Sequence, residues 1–351
     1  MKILVINPGS TSTKIAVFED RKELYRKNLE HDSAHLTQFK SNQDQLGFRT
    51  EVVQEAVEAA GYDLAGFAAV CSRGGPFKPV ESGTYVVDGD VLKDAADPAV
   101  GGRHPSALGV QIAAAIGEKY GLPSYFSDPV STDELIPEAR VSGFAGMERD
   151  SMFHALNQKS ACRKAAEELG RPYEELNLIG VHMGGGVSIA AHRRGRVIDT
   201  FNVINDGSFS MDRGGSLPTT GIIDLCFSGK TKAEVSQMLK SRSGVFSYVG
   251  TKDFRQVEDQ AFAGDEKSRA VFDALIYQHV KDIGAMAAVM DFDVDAVVLT
   301  GGIANSKRVC GAIEEKVSRL APVIVIPGEN EMQSLADNTY RVLCGEQAKK
   351  Y

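Results

Sequence analysis

Lys2-Ile3-Leu4-Val5-Ile6 is an unbroken aliphatic run and predicts a buried strand. Asn7-Pro8-Gly9-Ser10-Thr11-Ser12-Thr13 interrupts it with Gly, Pro and hydroxyl side chains, the composition of a turn. Lys14-Ile15-Ala16-Val17-Phe18 then resumes as a second strand. The same strand–turn–strand pattern returns at 178–191, where Met183-Gly184-Gly185-Gly186-Val187 forms the turn. A third run, Ala296 to Thr300, ends in Gly301-Gly302-Ile303 before a helical pattern begins. Between these landmarks, apolar spacing predicts helices over 43–60, 107–120, 157–169, 232–239, 268–290 and 331–349. Strands are predicted at 21–29, 67–71, 124–128 and 323–327.

Small-residue turns between strands leave backbone N–H groups and hydroxyls pointing outward, a nest suited to anionic oxygens. Lys14 adds a positive charge beside the first turn, and Asn7 adds a carboxamide. Two such turns, one in each half of the chain, would make a two-sided phosphate clamp if the halves are duplicated domains. The glycines at 301 and 302 suit a nucleoside packed close to backbone. Phe67 to Cys71 delivers Ser72-Arg73-Gly74-Gly75 to a loop at a strand's carboxyl end, where α/β sheets place their chemistry. The stretch from Asn205 to Pro218 has little hydrophobic period, yet contains Phe209, Met211 and Leu217, so it reads as an ordered functional loop.

Composition narrows the class. The chain has 351 residues, enough for about two domains. A formal charge of −8 argues against a nucleic-acid partner. No apolar run approaches the ~18 residues of a membrane span, and no signal-peptide pattern opens the chain. The five cysteines are scattered and never spaced C-x-x-C, which fits a reduced, cytoplasmic protein. Ser228-Gly229-Lys230-Thr231 resembles the end of a P-loop, but Asp224 stands where its first glycine belongs. No dinucleotide fingerprint and no zinc-type spacing is present; His31, His35, His192 and His279 read as surface or hydrogen-bonded structural residues.

The ordered set of motifs resembles the acetate and butyrate kinase family. It comprises Asn7 to Lys14, Arg73-Gly74-Gly75, His182 to Gly186, Met211 to Gly215, Asp253-Phe254-Arg255, Thr300 to Ile303 and Pro327 to Glu331. The resemblance spans the chain and is closest to the butyrate and branched-chain members. It implies an α/β fold of two ribonuclease-H-like domains, shared with sugar kinases, Hsp70 and actin, closing on ATP. It also implies that the final helix returns to the first domain: residues 1–130 with 331–351, and 131–330. Gly185 stands where acetate kinases carry Asn, and Gly74-Gly75 where they carry Val-Val, so acetate itself is not expected to be the best substrate.

The function so implied is reversible transfer of the ATP γ-phosphoryl group to a short-chain fatty acid, with ADP as the other product. Butyrate is expected first; isobutyrate, isovalerate, propionate and acetate are the alternatives, and a sugar kinase or an ATP-gated binder is more distant. By residue, the resemblance assigns Arg73, Asp128, His154 and Arg213 to catalysis. Arg73, Gly75, His104 and Phe153 would bind the acyl substrate, with Gly75 leaving room for methylenes and Phe153 forming a wall. Ser10, Ser12, Lys14, His182, Gly184, Gly185 and Gly186 would hold phosphates. Asp253, Phe254, Arg255, Gly301, Gly302 and Ile303 would flank the adenosine. Asn7 and Glu331, with Glu329 as a rival, would stand on the Mg²⁺ side. A homodimer or larger homo-oligomer is expected.

Overall fold

The structure is a computed structural model and describes residues 1–351. The chain divides into two compact units, Met1–Asp133 with Asn330–Tyr351, and Glu134–Glu329.

Unit 1 is built on a six-stranded sheet. Its strands are β1 (Lys2–Pro8), β2 (Ser12–Glu19), β3 (Lys22–Glu30), β4 (Ala69–Arg73), β5 (Thr84–Val86) and β6 (Ser124–Ser127), in the order β3-β2-β1-β4-β6-β5. The first three form an antiparallel meander, while β4 and β6 run parallel to β1. Period-two alternation divides β1 between two faces. Leu4 and Ile6 pack with Val53, Val57, Leu108, Ile112 and Ile116 of the Leu46–Ala59 and Leu108–Tyr120 helices. The opposite face is covered by the Glu331–Leu343 helix, whose Leu335 carbonyl approaches the Cys71 thiol.

Unit 2 repeats the plan with five strands: β7 (Asn177–Met183), β8 (Val187–Arg193), β9 (Arg196–Thr200), β10 (Ala296–Gly301) and β11 (Val323–Pro327), in the order β11-β10-β7-β8-β9. Again the first three are antiparallel and the last two run parallel to the first. The Ala155–Leu169 helix closes one face around Leu178, Ala296, Val298 and Ile326. The long Glu266–Val289 helix closes the other, in a core of thirty buried residues that takes in Phe209, Met211, Phe254 and Ile303.

Two details depart from the sequence reading. The final helix stops at Leu343 rather than running to Lys349, and the tail returns to pair Lys349 with Tyr85 beside β5. His31 and His192 are buried and hydrogen-bonded, to Thr13 and to Tyr173 with Gln158, but His279 is buried with neither ring nitrogen well hydrogen-bonded. No helix is long and apolar enough to cross a membrane.

Candidate functional site

In unit 1 the parallel strands end side by side. Arg73, the last residue of β4, pairs in register with Ser127, so Asp128 leaves the sheet beside it. Asn7 lies near the end of β1, next to β4 in the sheet. Glu331 opens the final helix and ties these ends together. Its carboxylate accepts from Asn7 Nδ2 at 2.6 Å and from Arg73 Nη1 at 3.0 and 3.3 Å. Nε and Nη2 of Arg73 donate to no other group of the chain, so the guanidinium is anchored by one arm with the rest of its fork unused. Between the two acidic candidates, it is Glu331 that sits with Asn7. Glu329 belongs to unit 2, where its carboxylate lies 3.5 Å from His182 Nε2.

Asp128 is buried in a left-handed backbone conformation, φ 39°, which non-glycine residues seldom adopt. Its Oδ1 accepts from Ser82 Oγ at 2.7 Å and Gly83 N at 2.9 Å, and its Oδ2 from Asn338 Nδ2 at 3.3 Å. Both oxygens are thus bonded within unit 1. His104 holds Ser106 through Nδ1 at 2.7 Å. Crowding by surrounding protein, and then the charge of Arg73, lower its pKa, although the residue as a whole is exposed.

Gly75 requires a correction. A Cβ at this position would lie 3.0 Å from the Cα and Cβ of Ala107 and 3.0 Å from the ring of Phe77. The room that a valine would occupy is already filled by unit 1's own packing, so Gly75 does not open a space for methylenes. Gly74 is equally confined, with Pro129 Cβ 2.8 Å from its missing side chain. Phe153 does not offer a pocket wall either: it is 1% exposed and packs with Ala155, Ala190 and Val197 inside unit 2.

In unit 2 the glycine turn is surrounded by the other candidates. His154 and His182 stack face to face, with ring centroids 3.7 Å apart. Ser188 lies 2.9 Å from His154 Nδ1, and Asn157 Oδ1 lies 2.7 Å from His182 Nδ1. That last contact makes Nδ1–H a donor to Asn157, while Nε2, buried, makes no hydrogen bond within the chain. A methyl on Gly186 would come within 2.5 Å of Arg213 Nη1 and 3.2 Å of His154 Cε1, whereas Gly185 is open. Arg213 and His154 therefore converge on the inner edge of the turn. The loop that carries Arg213 is ordered by its own bonds: Ser210 N donates to Arg213 O, and Ser208 donates twice to Asp282.

The nucleoside candidates separate into roles. Gly301 has φ 87°, and a Cβ there would lie 2.4 Å from the Met183 carbonyl oxygen, so only glycine lets β10 pass this close to β7. Gly302 is exposed with open space around it, and Ile303 is buried. Asp253 caps the Phe254–Phe262 helix through Arg255 N, Phe254 joins the core, and Arg255 is exposed. Glu258 of that helix accepts from Ser306 Oγ, which places this segment beside the turn after β10. Ser10 and Lys14 are exposed and Ser12 is half-buried on the first turn. Sequence reasoning missed Arg49, which is fully buried behind that turn; the exceptional burial of an arginine is visible only once the chain is folded.

Comparison with known proteins fits this arrangement. The acetokinase family model matches residues 146–342, more than half of the chain. This chain belongs to the acetokinase family. It is thus a phosphotransferase that uses ATP and has a carboxyl group as acceptor. It is 44% identical over its whole length to butyrate kinase 1 of Clostridium acetobutylicum, covering 99% of that protein. Among solved structures it resembles acetate kinase from Entamoeba histolytica, with a TM-score of 0.81 and 16% identity over 98% of this chain and 100% of the other. Acetate kinase from Porphyromonas gingivalis gives a TM-score of 0.78 at 20% identity, covering 97% of this chain and 99% of the other. At these identities the structures speak for the shared fold.

Proposed function

We propose that this acetokinase-family enzyme transfers the γ-phosphoryl group of ATP reversibly to butyrate, forming butanoyl phosphate and ADP. Isobutyrate, isovalerate, propionate and acetate are its lesser acceptors. The observation that carries the reading is the full-length 44% identity to a butyrate kinase.

Phosphoryl transfer needs positioning and charge neutralisation more than covalent chemistry. The acceptor is a carboxylic acid with a pKa near 4.3, roughly that of Glu, so at neutral pH it is ionised and no general base is required. The obstacle is repulsion between two anions. Arg73, anchored by Glu331, directs the rest of its guanidinium fork at the carboxylate and the transferring group. Arg213 neutralises charge at the transferring phosphoryl, and His154 donates to its equatorial oxygens. His104 donates to the acceptor. Asp128, with both oxygens engaged, acts by fixing the loop after β6 beside Arg73. Gly184, Gly185 and Gly186 with His182, and Ser10, Ser12 and Lys14, hold phosphates; Asp253, Arg255 and the 301–303 segment flank the nucleoside.

A divalent ion is part of this proposal. Asn7 and Glu331 offer the hard oxygen donors that Mg²⁺ accepts, and no group of three or more His, Cys, Asp or Glu side chains forms an all-protein cage. That donor set fits an ion that keeps most of its waters and binds mainly through phosphates. When bound, Mg²⁺ supplies charge neutralisation between the phosphates. The reading includes a cytoplasmic location, in keeping with five unpaired cysteines. It also includes a homodimer or larger homo-oligomer, supported by the Thr219–Cys226 helix, which buries no residue and exposes Ile223 and then Phe227. Sedimentation at several concentrations checks the oligomer.

Incubation with ATP, Mg²⁺ and carboxylates of increasing length, with hydroxylamine trapping of acyl phosphate, tests the activity. The highest kcat/KM is expected for the four-carbon acid. Phosphorylation of hexoses with no product from three- to five-carbon acids would replace this reading by a sugar kinase.

A further inference from the structure

The first turn of unit 1 is held from behind by a residue that the proposed reaction does not use. Arg49 is 0% exposed, and its guanidinium donates to three backbone carbonyls and two side-chain oxygens. Nη1 donates to Gly9 O at 2.9 Å, Ser12 O at 3.1 Å and Thr13 Oγ1 at 3.1 Å; Nη2 donates to Ser10 O at 2.9 Å; Nε donates to Gln45 Oε1 at 3.0 Å. The remaining carbonyl, Thr11 O, accepts from His31 N at 2.9 Å, and Gly9 N donates to Ser12 O at 2.8 Å. Every carbonyl from Gly9 to Ser12 is therefore turned inward and occupied. The amide N–H groups of Ser10 and Thr11 donate to no oxygen of the chain.

We infer that Arg49 is the positioning residue of an oxyanion cradle, one that presents the Ser10 and Thr11 amides and the Ser10 and Ser12 hydroxyls to a terminal phosphate group. Two physical effects act together. Drawing all the acceptors to one side leaves only donors on the other, which is the arrangement an anion needs. The guanidinium also has no carboxylate partner among its five acceptors, so its charge is not cancelled behind the turn. A buried, unpaired cation is costly, and a bound anion offsets that cost. His31 completes the frame: its ring nitrogen lies 2.9 Å from Thr13 Oγ1, the hydroxyl that also receives Arg49. Lysine cannot reproduce the frame, because a single ammonium cannot span the carbonyls of Gly9, Ser10 and Ser12. That the occupant is the terminal phosphate of ATP rests on the carboxylate-kinase reading; the cradle itself rests on unit 1 alone.

The test is a titration of the full chain with inorganic pyrophosphate, followed at the Ser10 and Thr11 amide resonances, in native protein and in Arg49→Lys. ATP and AMP affinities are measured in parallel by calorimetry. The native amides are expected to shift, and Arg49→Lys to bind pyrophosphate and ATP at least tenfold more weakly while AMP affinity stays within twofold. Loss of AMP and ATP affinity together would mark Arg49 as a general structural residue and overturn the proposal. So would unmoved Ser10 and Thr11 resonances in native protein, or native-like pyrophosphate binding by the variant. If Arg49→Lys does not fold, Gln45→Leu releases only Nε and should weaken pyrophosphate binding severalfold; unchanged binding there counts equally against the cradle. Native protein that binds pyrophosphate at this turn but makes no acyl phosphate would overturn the kinase reading and leave the cradle standing.

Discussion

Unit 1 and unit 2 share one strand plan, β3-β2-β1-β4-β6 against β9-β8-β7-β10-β11, but their first turns solve the same problem with different chemistry. The turn in unit 1 is rich in hydroxyls and is braced by a buried guanidinium that occupies its carbonyls. The turn in unit 2 is three glycines, with two stacked imidazoles and Arg213 crowding its inner edge. Topology sets where the chain can present a group: after the first strand of the meander and at the ends of the parallel strands. Side chains decide what is presented. The arginines differ in the same way, since Arg73 is fixed by a carboxylate at the tip of a helix and Arg213 by the packing of a long loop.

Removing the arginines should have the largest effect. Arg73→Ala and Arg213→Ala are each expected to lower kcat by about 10³-fold, with ATP affinity changed far less, because charge at a transferring phosphoryl is the quantity they stabilise. Steady-state kinetics beside calorimetric ATP binding reads this. Near-native kcat in either variant would remove that arginine from the transfer step. Arg73→Lys should rescue poorly, since an ammonium cannot use the fork that Glu331 holds in place.

The glycine turn of unit 2 allows a sharper comparison within one motif. Gly186→Ala places a methyl 2.5 Å from Arg213 Nη1 and should lower kcat by about ten- to a hundredfold through displacement of the guanidinium. Gly185→Ala meets nothing and should behave nearly as native. Equal kinetics for the two would show that Arg213 does not depend on the inner edge of the turn.

Two further substitutions act on stability. Gly301→Ala combines a positive φ with a clash against the Met183 backbone and should cost about 1–3 kcal/mol in denaturant unfolding, whereas Gly302→Ala should be close to neutral. Gly75→Val overpacks against Ala107 and Phe77 and should cost a similar ~1–3 kcal/mol. Its activities on butyrate and acetate should fall together. A folded Gly75→Val protein that lost butyrate activity selectively would restore Gly75 as a determinant of chain length.

The smallest effect is a pH dependence common to both units. Burial pushes His31 and His279 down to about 4, and carries His192 well below its usual 6.5. Between about 4 and 6.5 the unfolded chain binds more protons at these sites than the folded chain, so stability rises with pH across that window and is lost as pH falls through it. The melting temperature should decline from pH 7 toward pH 4.5. His31→Asn should flatten the part of that decline that belongs to unit 1.

Much of the framework was legible in the sequence because it rests on local pattern. Ile3 to Ile6 and Val297 to Leu299 are apolar runs bounded by turn residues, and each is a buried strand segment. The ordered motifs carried the family, since they record the order in which the strands end. What only the tertiary structure decided are relations between distant segments. Glu331 rather than Glu329 meets Asn7, across 324 residues of chain, because the last helix lies against β1 and β4. Phe254 became core and Asp253 a cap because the segment begins an amphipathic helix on the long helix of unit 2. Gly75 became a packing position because Ala107 approaches it from another element. Arg49 looks in sequence like any polar residue on a helix, and only folding buries it behind the turn that it braces. Local pattern reports the faces of single elements; the choice of which faces meet depends on packing between them, which no single segment contains.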